Sequence, residues 1–140
     1  MKAVSLTIFY FIINSCTSII PFDLKNDIKY LGVNDHYEHY EGYVEGPNPV
    51  PHGAAYNSYI IIDEKILIVD GIHEFYHNQW LKNLELALEG RNPDYILLQH
   101  MEPDHSGNLI NLINLFPNIK IVSSEKSFIM MKNFFGNNFK

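Results

Sequence analysis

Apolar and polar positions alternate, run together and recur along this chain in a way that lays out most of its elements. Phe22-Asp23-Leu24 alternates, Lys25-Asn26-Asp27 has turn chemistry, and Ile28 to Val33 resumes an extended pattern, which predicts a short hairpin. A clearer hairpin follows, Tyr59-Ile60-Ile61-Ile62 and Ile66-Leu67-Ile68-Val69 flanking Asp63-Glu64-Lys65. Both arms are continuously apolar, the pattern of central strands covered on both faces. Trp80, Leu81, Leu84, Ala87 and Leu88 recur at the spacing of one helical face within Glu74 to Glu89, and Gly90 with Pro93 stops that helix.

Tyr95 to Leu98 is the next apolar run, followed by a helical pattern from about Asn108 that ends before Pro117. Ile119 to Val122 forms a further strand, and Ser124 is placed to cap a last helix that Gly136 ends. Hairpins followed by alternating strands and helices predict an α/β protein layered around a sheet. Asn34 to Gly53, with three prolines and three glycines, reads as a long ordered loop carrying His36, His39 and His52, either as functional groups or as polar loop residues.

Composition narrows the chemistry. The 140 residues suffice for one domain with a real core, and 46% hydrophobic with 19% charged residues is a globular balance. A net charge of −6 without a basic run argues against nucleic acid as a partner. The single cysteine, Cys16, excludes a disulfide framework and a cysteine-built zinc site, leaving imidazole and carboxylate as metal ligands. No segment reaches the roughly 18 apolar residues of a membrane span. The first eighteen residues, Lys2 and then Ala3 to Ile13 before a polar stretch, have the order of a weak signal peptide. An edge strand and a non-native extension are the other readings of that stretch, and the expected location is the cytoplasm.

The chemistry concentrates in His100-Met101-Glu102-Pro103-Asp104-His105-Ser106-Gly107, at the end of an apolar strand. Two imidazoles and two carboxylates in six residues suit a hard-to-intermediate cation. In an extended segment His100, Glu102 and Asp104 point to one side, with His105 turned away at the corner, and Pro103 holds Glu102 extended. The competing reading is a surface turn in which Asp104 or Ser106 merely caps a helix. Asp70, also at a strand end, is either a group that steadies a ligand or a helix cap. His73 and His77, four apart on the first helix, either pair or face solvent. Neither a glycine-rich phosphate loop nor a G-x-S-x-G nucleophile elbow is present.

A strand ending in His-x-His-x-Asp-His before a helix resembles the metallo-β-lactamase fold, and the version with Glu102 in the second position is similar to the flavodiiron proteins. Tyr30-Leu31-Gly32-Val33-Asn34-Asp35, Gly53 to Ile61 and Ile68-Val69-Asp70 extend the likeness over Ile20 to Lys140. The resemblance implies the first half of an αββα sandwich, with residues 1–19 as an unmatched extension and 20–140 as a truncated metallo-β-lactamase-like domain. It implies a non-haem di-iron centre that reduces dioxygen to water or nitric oxide to nitrous oxide. His100 and Glu102 would bind one iron, Asp104 the other, with His105 bound in some members and detached in others; no separate catalytic residue is implied.

FMN in a C-terminal flavodoxin-like domain, an electron donor such as rubredoxin or a reduced flavin, and a homodimer or tetramer are implied as well. The family's bridging aspartate, its two further histidine ligands and the FMN domain have no counterpart in these 140 residues, so the expectation is a fragment inactive by itself. The alternatives are a zinc hydrolase of the wider fold, against which Glu102 stands, and a non-catalytic interaction fragment.

Overall fold

The computed structural model describes residues 21–25, 27–35, 53–136 and 139. His36, His39, His52, Cys16 and the signal-like stretch lie outside them. Strands β1 (Phe22–Lys25) and β2 (Ile28–Tyr30) form the first hairpin, β3 (Val33–Asp35) and β4 (Ala54–Tyr56) a separate two-stranded sheet, and β5 (Tyr59–Ile62) and β6 (Ile66–Val69) the second hairpin. A single 3₁₀ turn (Glu74–Tyr76) leads into α1 (His77–Leu88). Then come β7 (Tyr95–Leu97), the short α2 (Pro103–Ser106), α3 (Leu109–Leu115), β8 (Lys120–Val122) and α4 (Glu125–Phe135). The fold is mixed α/β, as the pattern predicts.

The main sheet runs β1-β2-β5-β6-β7-β8. Its first half is antiparallel, as hairpins require, and β6, β7 and β8 are parallel. Parallel neighbours need a crossover; α1 supplies one and α2 with α3 the other. Ile60, Ile66, Ile68 and Ile96 share one face and are fully buried, packed with Trp80, Leu84, Leu109, Leu112 and Met131 of the helices. Ile61, Leu67, Val69, Tyr95 and Leu97 share the other face and are only half-buried. Cover on both faces is therefore not what the described residues show. The helices that follow β6, β7 and β8 all contribute to one core.

Ile28 to Val33 is not one strand. It breaks at Gly32, where an added Cβ would sit 2.4 Å from the carbonyl oxygen of Tyr56, so only glycine admits β4 this close. Val33–Asp35 then pairs with Ala54–Tyr56, which makes strand of the first two residues of the expected loop and sets a further strand directly after its last. The helix stops fall as predicted, with one refinement: Glu89, at φ 51°, is the left-handed residue that ends α1, one position before Gly90. The Ser124 hydroxyl accepts from the Ser127 N–H at 3.2 Å and caps α4, and Gly136 ends that helix. No helix among the described residues is long and apolar enough to cross a membrane.

Candidate metal centre

Asp70 follows β6 and His100 follows β7, so both stand beyond the C-terminal ends of adjacent parallel strands, where open α/β sheets gather ligands. Asp70 is buried and adopts a left-handed backbone at φ 57°. Its N–H donates to the Leu97 carbonyl at 2.8 Å, and its own carbonyl accepts from the Ser58 hydroxyl at 2.8 Å. Its carboxylate accepts twice from Gln99, at 2.8 Å from the backbone N–H to Oδ1 and at 2.8 Å from Nε2 to Oδ2. A left-handed non-glycine residue costs of order 1 kcal/mol, and this set of hydrogen bonds offsets it.

The octapeptide does not stay extended. Glu102 is extended at φ −64° and ψ 145°, as a residue before proline should be, but Pro103 opens α2 at its first position. Asp104 and His105 consequently sit in a helical turn, and the alternation that would have aligned Asp104 with His100 and Glu102 ends at Pro103. His105 does not turn away. Its ring lies 4.0 Å from that of His100, centroid to centroid, because the turn folds it back over the strand end.

The four residues form two pairs around that contact. Nε2 of His100 is 3.7 Å from Oε2 of Glu102, and Nε2 of His105 is 3.3 Å from Oδ2 of Asp104. Donors about 2.1 Å from one ion at a right angle stand about 3 Å apart, so each pair nearly spans a shared cation. Nδ1 of His105 is buried and 3.2 Å from Oδ2 of Asp70, yet outside hydrogen-bond geometry. Side-chain exposure falls from 73% at Glu102 to 22% at His105 and 3% at Asp70, which sets a dry inner wall behind a wet rim. Imidazole and carboxylate are the donors iron takes, and the pair spacings fit. Among the described residues, however, no three donors close on one point.

Close packing braces the turn. The Ser106 hydroxyl donates to the carbonyls of Met101, at 3.0 Å, and Glu102, at 3.2 Å, and so does not cap the helix. Gly71 N–H donates to the His105 carbonyl at 2.9 Å, and Asn108 exchanges two 3.2 Å hydrogen bonds with the backbone of Ile72. His73 and His77 take separate roles. Nδ1 of His73 accepts from the Phe75 N–H at 3.4 Å, whereas Nδ1 of His77 is buried without a hydrogen-bond partner and burial lowers that imidazole's pKa.

Gln99 and Ser58 are supporting residues that sequence reasoning passed over, and Trp80, placed on the apolar helix face, also donates to the Ser58 hydroxyl. Ser58, a polar residue directly before an apolar strand, was the one available signal.

No family model matches the chain. Curated relatives do. Flavo-diiron protein FprA2 of Clostridium acetobutylicum is 34% identical over 82 residues, which cover 59% of this chain and 20% of the relative. The anaerobic nitric oxide reductase flavorubredoxin of Vibrio vulnificus is 31% identical over 103 residues, covering 73% of this chain and 20% of the relative. The chain thus spans about a fifth of the length of either. Among solved structures, a flavoprotein of Thermotoga maritima superposes with a TM-score of 0.75 at 23% identity, covering 87% of this chain and 31% of that one. Rubredoxin oxygen:oxidoreductase of Desulfovibrio gigas gives 0.73 at 26% identity, covering 82% and 28%. The chain is therefore a relative of the flavodiiron proteins, and it fits the N-terminal part of their metallo-β-lactamase-like fold.

Proposed function

We propose that this chain contributes one wall of a non-haem di-iron centre in a reductase of dioxygen or nitric oxide. The observation that carries the reading is the pair of pairs, His100 with Glu102 and Asp104 with His105, joined by a 4.0 Å ring contact. The names of the relatives, a nitric oxide reductase and a rubredoxin oxygen:oxidoreductase, support the reaction class and rubredoxin as the kind of electron donor. Since the chain spans about a fifth of its curated relatives, the FMN site and the remaining iron ligands are proposed to lie in the length it does not match.

In this reading His100 and Glu102 hold one ion, and Asp104 with His105 the other. Bound iron would supply the redox and Lewis-acid chemistry. The chain's own residues supply charge and order. Glu102 and Asp104 bring anionic oxygen, which suits iron cycling between oxidation states. Asp70 places a buried negative charge 3.2 Å behind His105 without a hydrogen bond to it, which favours a cation on the ring's other side. Pro103 and Ser106 fix the turn that sets the spacing between the pairs.

Anaerobic titration of the full chain with Fe(II), with metal content measured after gel filtration, tests the reading. Bound iron should be lost in the double variant H100A/E102A. Equal binding by wild type and double variant would sink the assignment, and so would zinc binding accompanied by thioester hydrolysis.

A further inference from the structure

The carboxylate of Asp70 has two claimants. Gln99 reaches both oxygens, through its backbone N–H and through Nε2, each at 2.8 Å. His105 approaches the same Oδ2 with Nδ1 at 3.2 Å, off the hydrogen-bond axis, and that nitrogen is buried with no other partner. A buried ring nitrogen left unpaired is unfavourable, so the arrangement stands only while something stops Asp70 from turning onto it. The Asp70 backbone is tied at both its N–H and its carbonyl, to Leu97 and Ser58, which leaves the side-chain torsions to be set by what the carboxylate meets. Gln99 holds them by a two-point grip, of which the side chain supplies the half on the His105 side, at Oδ2.

We propose that Gln99 is a positioning residue for His105: by gripping both oxygens of Asp70 it fixes the plane of the carboxylate off the axis of Nδ1, and so leaves the imidazole able to turn. His105 faces Asp104 with one nitrogen and Asp70 with the other. A ring locked to Asp70 presents one fixed edge to a cation, whereas a ring held only by proximity can adjust. The proposal rests on reading His105 as a cation ligand, but the side chains can be observed without any cation, so the two ideas can fail separately.

The test is imidazole ¹⁵N–¹H NMR of the metal-free full chain, wild type against Gln99→Met, at a pH where histidine is neutral. Methionine keeps the unbranched shape of glutamine and removes its donor, while the backbone bond to Oδ1 survives. A slowly exchanging, hydrogen-bonded Nδ1–H of His105 should be absent in wild type and appear in Q99M. Identical His105 signals in both chains overturn the proposal. Should Q99M fail to fold, the wild type decides alone: a slowly exchanging Nδ1–H already present there overturns the proposal, and a rapidly exchanging one supports it.

Discussion

The indole N–H of Trp80 donates to the Ser58 hydroxyl at 2.9 Å, and that hydroxyl donates onward to the carbonyl of Asp70 at 2.8 Å. All three residues are buried. A helix on the sealed face of the sheet thus takes part in fixing the backbone behind the metal-binding turn. Trp80→Phe removes the donor and some volume, and should lower the unfolding free energy by about 2–3 kcal/mol, read from urea denaturation. An unchanged midpoint would show that the indole N–H contributes nothing there.

Asp70→Asn retains a residue type that tolerates the left-handed backbone but deletes the negative charge 3.2 Å from His105. The circular dichroism spectrum should stay that of the wild type while the Fe(II) dissociation constant rises roughly ten- to a hundredfold. Asp70→Ala also strands both Gln99 donors and should melt earlier than Asp70→Asn. Equal Fe(II) binding by Asp70→Asn and wild type would remove Asp70 from the site.

Two glycines should respond very differently to a methyl group. At Gly107 an added Cβ would sit 2.6 Å from the Pro103 carbonyl and 2.8 Å from the Glu74 nitrogen, both backbone atoms that cannot step aside. Gly107→Ala should cost about 1–3 kcal/mol or more. Gly90 has φ +84° with nothing within 4 Å, so Gly90→Ala carries only the left-handed strain of about 1–2 kcal/mol. Thermal melts of the two variants should rank them in that order.

Burial depresses the pKa of His77 below its ordinary 6.5. The unfolded chain therefore takes up a proton at this residue before the folded one does. Above about pH 6.5 both states are neutral here and the group adds no pH dependence; as the pH drops below that value the unfolded state gains, and stability declines. His77→Gln should flatten the acid side of the stability profile relative to wild type. Parallel profiles would assign the decline to other groups.

Much of the fold was legible because its signals are local. The Ile-rich hairpin, the Ser124 cap and the stop at Gly136 each follow from neighbouring residues, and so does the place of the octapeptide at a strand end. The shape of the octapeptide was less legible. Pro103 carries two competing signals, extended geometry before it and helix initiation at it, and both are obeyed one residue apart. That brings His105 onto His100 instead of away from it. The supporting contacts were not legible at all: Gln99 meets Asp70 across 29 positions of sequence, a distance over which no periodicity speaks. The half-buried second face of the sheet also escaped, since an apolar run reads the same whether one side is sealed or two.

The change from antiparallel to parallel pairing at β6 has a kinetic consequence. The β5–β6 hairpin closes across three residues, whereas β6 meets β7 only after the whole of α1 has been brought over. Loop closure makes the second event slower. Asp70, Gln99 and His100 come together only once β7 has docked, so the site is a product of the slow half of folding. In stopped-flow refolding, the contact of Gln99 with Asp70, 29 positions apart, should emerge with the last phase, after the hairpin has formed. A ligand for that turn would then act on the late-forming half of the protein and leave the early hairpin untouched.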